Sequence, residues 1–198
     1  MKMRVRWILL AAALGLMAGA AVLVWRSAGP APSPPPSAIG GAFALTDQNG
    51  RPVTQAALAG KWSAVFFGYT FCPDVCPTTL QQLGAAEALL GPAAQRFQVI
   101  FISIDPQRDT PAVLRTYLST PSFPRHTIGL TGTAAQVSLA AKAYRVYYAR
   151  VPQGSSYVMD HSAVIYLMDP EQRFVKPLDL TVPPAAVAAQ IRQAMGQG

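Results

Sequence analysis

From residue 41 onward, apolar and polar positions follow a pattern that predicts strands separated by helices. Apolar runs of about four to eight residues are typical of buried strands, whereas apolar positions three to four residues apart favour helices. The predicted strands cover residues 43–45, 63–68, 98–104, 163–168 and 174–175. The predicted helices cover residues 77–90, a segment that begins at 111, a segment from 133 to about 144, and residues 183–195.

Capping signals support the predicted helices. Thr110 precedes Pro111, a favoured first helical residue, and Thr133 and Gln136 have capping-box spacing. The same helix-start chemistry accounts for Asp109. Strands that alternate with helices, followed by a closing hairpin and a last helix, predict an α/β class with a central mixed sheet. This is the order of elements of a thioredoxin-like fold.

Residues 1–26 have the pattern of a membrane anchor. Residues 7–25 form a run of 19 uncharged residues that would span roughly 28 Å as a helix, about the thickness of a bilayer core. Three basic residues precede this run and one follows it, so we expect the N-terminus in the cytoplasm and the rest exported. The alternative is a cleaved signal peptide, because Ala18-Gly19-Ala20 resembles a cleavage site.

Residues 27–40 separate this anchor from the predicted domain. They contain five prolines, which favour an extended polyproline conformation and predict a semi-stiff linker. The domain itself is predicted over residues 41–198.

The charge pattern excludes one large class of partner. The net charge is +7, but four of the 16 basic residues precede residue 41 and all nine acids follow it. The predicted domain therefore carries only +3, spread along the chain without a basic stripe or recognition motif, which argues against nucleic-acid binding.

The two cysteines, Cys72 and Cys76, lie in the segment Cys-Pro-Asp-Val-Cys-Pro, between a predicted strand and a predicted helix. Pro77 suits the first helical position, which predicts Cys76 at the N-cap. A helix N-terminus favours thiolate, which is both a nucleophile and a ligand for soft metals.

Two uses of these cysteines follow. In one helical turn their Cα atoms would lie about 6 Å apart, so the pair is able to hold a metal when reduced and form a disulfide when oxidised. A dithiol oxidoreductase is the alternative, although its usual spacing has two intervening residues rather than three.

His161 is the histidine that we expect at this site. It directly precedes the predicted strand 163–168, and in a thioredoxin-like sheet the loop entering that strand lies beside the cysteine loop. Asp160 and Asp74 are candidates for a hydrogen bond to its ring, and the alternative for each is an ordinary turn or surface acid. His126 is expected to be an ordinary surface or loop residue.

Four segments together resemble the Sco/SenC family of copper proteins: residues 67–77, 105–111, 129–132 and 160–162. The resemblance implies a thioredoxin fold on the periplasmic side of a bacterial inner membrane, and copper bound by Cys72, Cys76 and His161. It also implies that the protein helps to assemble the binuclear copper centre of cytochrome c oxidase subunit II. Copper delivery and reduction of that subunit's cysteines are both open.

The ligand set agrees with copper. Two thiolates and an imidazole suit three-coordinate Cu(I), and a fourth weak ligand would help Cu(II), whereas zinc would want a fourth strong ligand or water. A second periplasmic copper carrier is a further expected partner. A membrane-anchored periplasmic thiol-disulfide oxidoreductase or redox sensor stays as the alternative.

Overall fold

The computed structural model describes residues 39–196. The predicted anchor, residues 1–26, and most of the predicted linker, residues 27–40, lie outside these residues. None of the helices within 39–196 has the length and apolar character needed to cross a bilayer.

A seven-stranded mixed sheet forms the centre of the described part. Its strands are β1 (Ala44–Asp47), β2 (Pro52–Thr54), β3 (Trp62–Gly68), β4 (Phe97–Ser103), β5 (Thr127–Thr131), β8 (Ile165–Met168) and β9 (Phe174–Leu178). Their spatial order is β2-β1-β5-β4-β3-β8-β9. The three central strands β3, β4 and β5 run parallel, and the outer pairings are antiparallel.

The central strands are buried because helices cover the sheet. Every residue of β3 and β4 is buried, which explains why both are nearly continuous apolar runs rather than alternating ones. The helices are α1 (Val75–Leu89), α2 (Pro111–Leu118), α3 (Ala134–Ala143) and α4 (Pro184–Ala194). Helix α1 packs against α4, α2 packs against β5, and α3 packs against β1. The prediction of an α/β fold with a central mixed sheet flanked by helices is confirmed.

The predicted caps of two helices are present. The Thr110 hydroxyl accepts a hydrogen bond from the Val113 N–H at 3.3 Å at the start of α2. At the start of α3, Thr133 and Gln136 form both hydrogen bonds of a capping box.

The start of α1 differs from the prediction. The helix begins at Val75, with Asp74 at the N-cap, so Cys76 is its second residue and Pro77 its third. Pro77 is tolerated there because the N–H groups of the first helical turn have no partner inside the helix. The bias of a residue before proline away from helical backbone is overcome at Cys76.

A two-stranded antiparallel hairpin stands apart from the main sheet and was not predicted. It consists of β6 (Tyr148–Gln153) and β7 (Ser156–His161). Gly154 turns it with a φ of 60°, a conformation that costs glycine little. A Gly-Ser pair between two short segments that contain tyrosine and valine was the signal that could have revealed it. His161 consequently ends a strand of this hairpin, and the following strand β8 starts only at Ile165.

Candidate metal centre

The cysteine loop follows the carboxyl end of β3, at the middle of the sheet. Cys76 is fully buried and Cys72 is half-buried. The last residue of β3 is Gly68, and a Cβ added there would lie 2.9 Å from Cys76 Sγ and 2.8 Å from the Phe101 ring. Glycine at position 68 therefore leaves the room in which the buried thiol sits.

The two cysteines are reduced and in direct contact. The Cys76 N–H donates a hydrogen bond to Cys72 Sγ at 3.3 Å, and the Cys72 N–H donates to the Tyr69 carbonyl at 3.3 Å. The amide at the start of α1 thus points at the sulfur of Cys72. The helix N-terminus stabilises the thiolate of Cys72, rather than that of Cys76 as the N-cap prediction implied.

His161 reaches the same place from β7. Its Nε2 lies 3.9 Å from Cys76 Sγ, and its Nδ1 lies 3.1 Å from the Ser162 carbonyl oxygen. Because a carbonyl only accepts hydrogen bonds, Nδ1 is the donor in this contact, which orients the ring so that Nε2 faces the cysteines. The Tyr69 ring packs edge-on against the imidazole, with centroids 6.0 Å apart.

The hydrogen-bond partner of His161 Nδ1 is neither of the two candidate carboxylates. The Ser162 carbonyl orients the ring instead. Asp160 is exposed, and Asp74 accepts a hydrogen bond from the Thr78 hydroxyl within α1. A backbone acceptor leaves no residue-type signal, so the sequence pattern had nothing from which to predict it.

The two cysteines differ strongly in pKa. The pKa of Cys72 is lowered to about 4, chiefly by the hydrogen bond from Cys76, with smaller contributions from His161 and nearby backbone N–H groups, and burial opposes these effects. The hydrogen bond with Cys72 and deep burial raise the pKa of Cys76. The reduced site therefore holds a thiolate at Cys72 and a thiol at Cys76.

We expect Cys72 alone to react with iodoacetamide at pH 6 in the reduced, metal-free protein. Its thiolate is already formed, because its pKa lies near 4, whereas Cys76 stays protonated and buried. Peptide mapping by mass spectrometry after brief labelling between pH 3 and 10 measures this. Equal labelling of both cysteines, with a common midpoint near pH 9, would contradict this difference in pKa between the two thiols.

The lowered pKa of Cys72 also makes the stability of the folded state depend on pH. A thiol whose pKa is depressed on folding stabilises the folded state increasingly as the pH rises from about 4 towards 9. That contribution is lost as the pH falls through about 4. The Cys72→Ser variant should lack this part of the pH dependence.

Asp109 holds the cysteine loop against the end of β4. It is fully buried, and its carboxylate accepts hydrogen bonds from the Thr70 N–H at 3.0 Å, the Thr70 hydroxyl at 2.6 Å and the Ser103 hydroxyl at 2.6 Å. Burial raises the pKa of Asp109, and these hydrogen bonds oppose that effect. Its explanation as helix-start chemistry was incomplete, because its side chain ties residue 70 of the cysteine loop to the end of β4.

Asp109→Ala should lower the free energy of unfolding by about 2–3 kcal/mol, because it leaves the Thr70 N–H and the buried Ser103 hydroxyl without their acceptor. Urea denaturation of the metal-free protein measures this. The control is Asp160→Ala on the exposed end of β7, for which we expect a change within about 0.5 kcal/mol. Equal stability of the Asp109 and Asp160 variants would contradict the role assigned to Asp109.

His126 lies in a different set of contacts. Its Nδ1 pairs with the buried Glu87 carboxylate at 2.8 Å, and the Arg125 N–H donates to the same carboxylate at 2.7 Å. Glu87 thereby joins α1 to the segment that enters β5. His126 has a structural role at this junction.

The described residues contain the donors for a soft metal but not a closed site. Within 39–196, no three His, Cys, Asp or Glu side chains are already arranged to hold a metal ion. The 3.9 Å between Cys76 Sγ and His161 Nε2 is nonetheless close to the separation of two ligands on one ion, which is about 3.6–3.8 Å for bonds of about 2.3 Å to sulfur and 2.0 Å to nitrogen. Binding would replace the contact between the two cysteines and release the Cys76 proton.

Fold and site together define a thioredoxin-like domain with a dithiol–imidazole site at the carboxyl end of its central strand. The family model described as SCO1/SenC matches residues 31–196, and the chain belongs to this family. It is 42% identical over 156 residues to protein SenC of Rhodobacter capsulatus, covering 77% of this chain and 69% of that protein.

Curated mitochondrial relatives are longer. Protein SCO1 of Saccharomyces cerevisiae is 44% identical over 144 residues, which cover 71% of this chain and 48% of that protein. The SCO1 homolog 1 of Arabidopsis thaliana is 42% identical over 147 residues, which cover 73% of this chain and 43% of that protein. The chain thus spans about half the length of these two relatives.

Solved structures of relatives have the same fold. Bradyrhizobium japonicum ScoI with copper bound is 48% identical, with a TM-score of 0.73, covering 78% of this chain and 98% of that one. Yeast Sco1 with copper bound is 40% identical, also with a TM-score of 0.73, covering 81% of this chain and 90% of that one.

Proposed function

We propose that this protein is a copper-binding metallochaperone whose ligands are Cys72, Cys76 and His161. The observation that carries the proposal is the meeting of these three residues from two separate segments. Cys76 Sγ lies 3.9 Å from His161 Nε2, and the Cys76 amide points at Cys72 Sγ. The copper-bound states of Bradyrhizobium japonicum ScoI and yeast Sco1 support copper as the metal.

The donor chemistry favours copper over other metals. Two soft sulfur donors and one imidazole suit Cu(I), whereas zinc is usually held by four strong ligands or by three and a water. The same set accepts Cu(II) when a weak further ligand approaches from the open side. We propose that both oxidation states bind at this site.

The exposure of the donors suggests an order of ligand exchange. Cys72 and His161 are both half-buried, but Cys72 is already a thiolate, so it is the first group that would bind copper from an approaching donor. Cys76 would then lose its proton and bind the ion from the buried side, and His161 would bind through Nε2 as the third ligand. Release to an acceptor runs in the opposite order, beginning at Cys72.

The cellular role that we propose is assembly of the binuclear copper centre of cytochrome c oxidase subunit II. A second periplasmic copper carrier would supply the ion. Residues 1–26 would form a single-pass anchor in a bacterial inner membrane, and residues 27–40 would hold the domain, residues 41–198, on the periplasmic side. The apolar run of residues 7–25 and its basic flank support this topology.

A second function, thiol-disulfide oxidoreductase or redox sensor, is favoured by one observation: the thiolate at Cys72 beside the thiol at Cys76. The thiolate would attack a partner disulfide and form a mixed disulfide. Cys76 would then lose its proton and attack Cys72 Sγ, which leaves a Cys72–Cys76 disulfide and releases the partner as a dithiol that takes up the Cys76 proton and one proton from water. Two electrons pass to the partner, so a separate reductant must restore the dithiol.

Deletion of the gene separates these functions. We expect a deletion strain to lose cytochrome c oxidase activity, and to regain it with the intact chain but not with a Cys72→Ser, Cys76→Ser double variant. Rescue by added copper would support delivery, and rescue only by an added thiol reductant would support disulfide reduction. A deletion strain with normal oxidase activity and a normal copper content of the oxidase would contradict the proposed role.

A further inference from the structure

We propose that Arg108 is a positioning residue that holds the loop of Cys72 and the hairpin of His161 at ligand distance from each other. This inference rests on the copper site proposed above. Arg108 is neither a metal ligand nor part of either segment, since it lies in the loop after β4. Its guanidinium contacts both segments.

On one side, Arg108 contacts the cysteine loop. Its guanidinium carbon lies 4.7 Å from the centre of the Phe71 ring and 5.9 Å from the centre of the Tyr69 ring. Phe71 directly precedes Cys72, and its side chain is 62% exposed. The cation–π contact with Arg108 therefore orients an aromatic residue that would otherwise have little reason to keep one position.

On the other side, Arg108 contacts the strand that carries His161. Its Nη1 donates a hydrogen bond to the Tyr157 carbonyl at 3.1 Å, and its guanidinium carbon lies 3.7 Å from the centre of the Tyr157 ring. Tyr157 is in β7, and its hydroxyl donates to Asp105 at 2.9 Å. Asp105 also forms an ion pair with Arg108. The charge of Arg108 is thereby balanced where it touches β7.

The topology makes this link important. Strands β6 and β7 form their own two-stranded sheet and share no ladder with the seven-stranded sheet that carries the cysteine loop. The distance between His161 and the thiols therefore depends on side-chain contacts across the gap as well as on the short connection from His161 to β8. Arg108 is a described residue that makes such contacts with both sides.

Lysine is a poor substitute for arginine at this position. Its ammonium is able to keep the ion pair with Asp105, but it has no planar group to stack on a ring while also donating to the Tyr157 carbonyl. Arg108→Lys thus preserves the charge and removes the bridging geometry. Arg150 supplies the control. Its guanidinium carbon lies 3.9 Å from the centre of the same Tyr157 ring, but its side chain is exposed.

Two measurements on Arg108→Lys, Arg150→Ala and the parent test the proposal. For Arg108→Lys we expect roughly 10-fold weaker Cu(II) binding and shifted thiolate-to-Cu(II) charge-transfer bands. We also expect faster amide hydrogen exchange in residues 156–161 of its metal-free form, and parental values for Arg150→Ala. Parental bands and exchange in Arg108→Lys, or equal changes in Arg150→Ala, would overturn the proposal.

Two further outcomes are decisive. If Arg108→Lys does not fold, Phe71→Leu takes its place, because the exposed Phe71 can be changed without opening the core; parental bands and exchange in that variant overturn the proposal. If the parent binds no copper, the proposed function fails. Hydrogen exchange of the metal-free variants then still decides whether Arg108 couples the two segments.

Discussion

Replacing Cys76 by serine should lower the affinity for Cu(I) by more than 100-fold. Loss of an outer partner of a metal ligand costs roughly 10–100-fold, or about 1.4–2.8 kcal/mol, and loss of a thiolate that bonds the ion itself should cost more. Serine keeps the shape of the side chain but offers a hard oxygen, which suits Cu(I) poorly. Competition with a chromophoric Cu(I) chelator under reducing conditions measures the change.

The matched control for Cys76→Ser is Val75→Ala, one residue earlier in the first turn of α1. Val75 is 48% exposed and has no donor atom, so its truncation should leave Cu(I) affinity unchanged. Parental affinity in Cys76→Ser would remove Cys76 from the ligand set. The site would then reduce to a reactive thiolate at Cys72.

His161→Ala should weaken Cu(II) binding by more than 100-fold and shift the thiolate-to-Cu(II) charge-transfer bands. The harder ion gains more from imidazole than Cu(I) does, and the two thiolates alone are able to hold Cu(I) as a near-linear pair. The fall in Cu(I) affinity should therefore be smaller. Titration with Cu(II), followed by visible absorption, measures both the affinity and the bands.

His126→Ala is the control for His161→Ala. His126 pairs with Glu87 at the start of β5, so its loss should cost stability without changing either copper affinity or the spectrum. If His161→Ala binds both oxidation states like the parent, with unchanged bands, the three-ligand site is wrong. A dithiol oxidoreductase on a thioredoxin-like fold would then be the better account.

The elements that could be predicted from sequence are those whose signals are local. The buried strands β3 and β4 are continuous apolar runs, and α2 and α3 begin at the predicted threonine caps. The start of α1 was misplaced by two residues, because proline fits the third helical position as well as the first. That small shift exchanged the roles of the two cysteines, since the amide of Cys76 points at Cys72.

The site residues that the sequence did not reveal act through tertiary contacts. Asp109 is in the position of a helix-start residue, yet its carboxylate binds Thr70, 39 positions away in sequence. Arg108 contacts Tyr157 over a separation of 49 positions. No periodicity or capping signal records such long-range contacts, because they depend on how β4 and the hairpin are placed in the fold.

X-ray absorption at the copper K edge of the Cu(I)-loaded protein tests the central claim most directly. Two sulfur neighbours at about 2.3 Å and one nitrogen neighbour at about 2.0 Å are expected for the parent, with the nitrogen lost in His161→Ala. A spectrum that His161→Ala leaves unchanged, or a parent spectrum with fewer than two sulfur neighbours, would contradict copper binding by Cys72, Cys76 and His161.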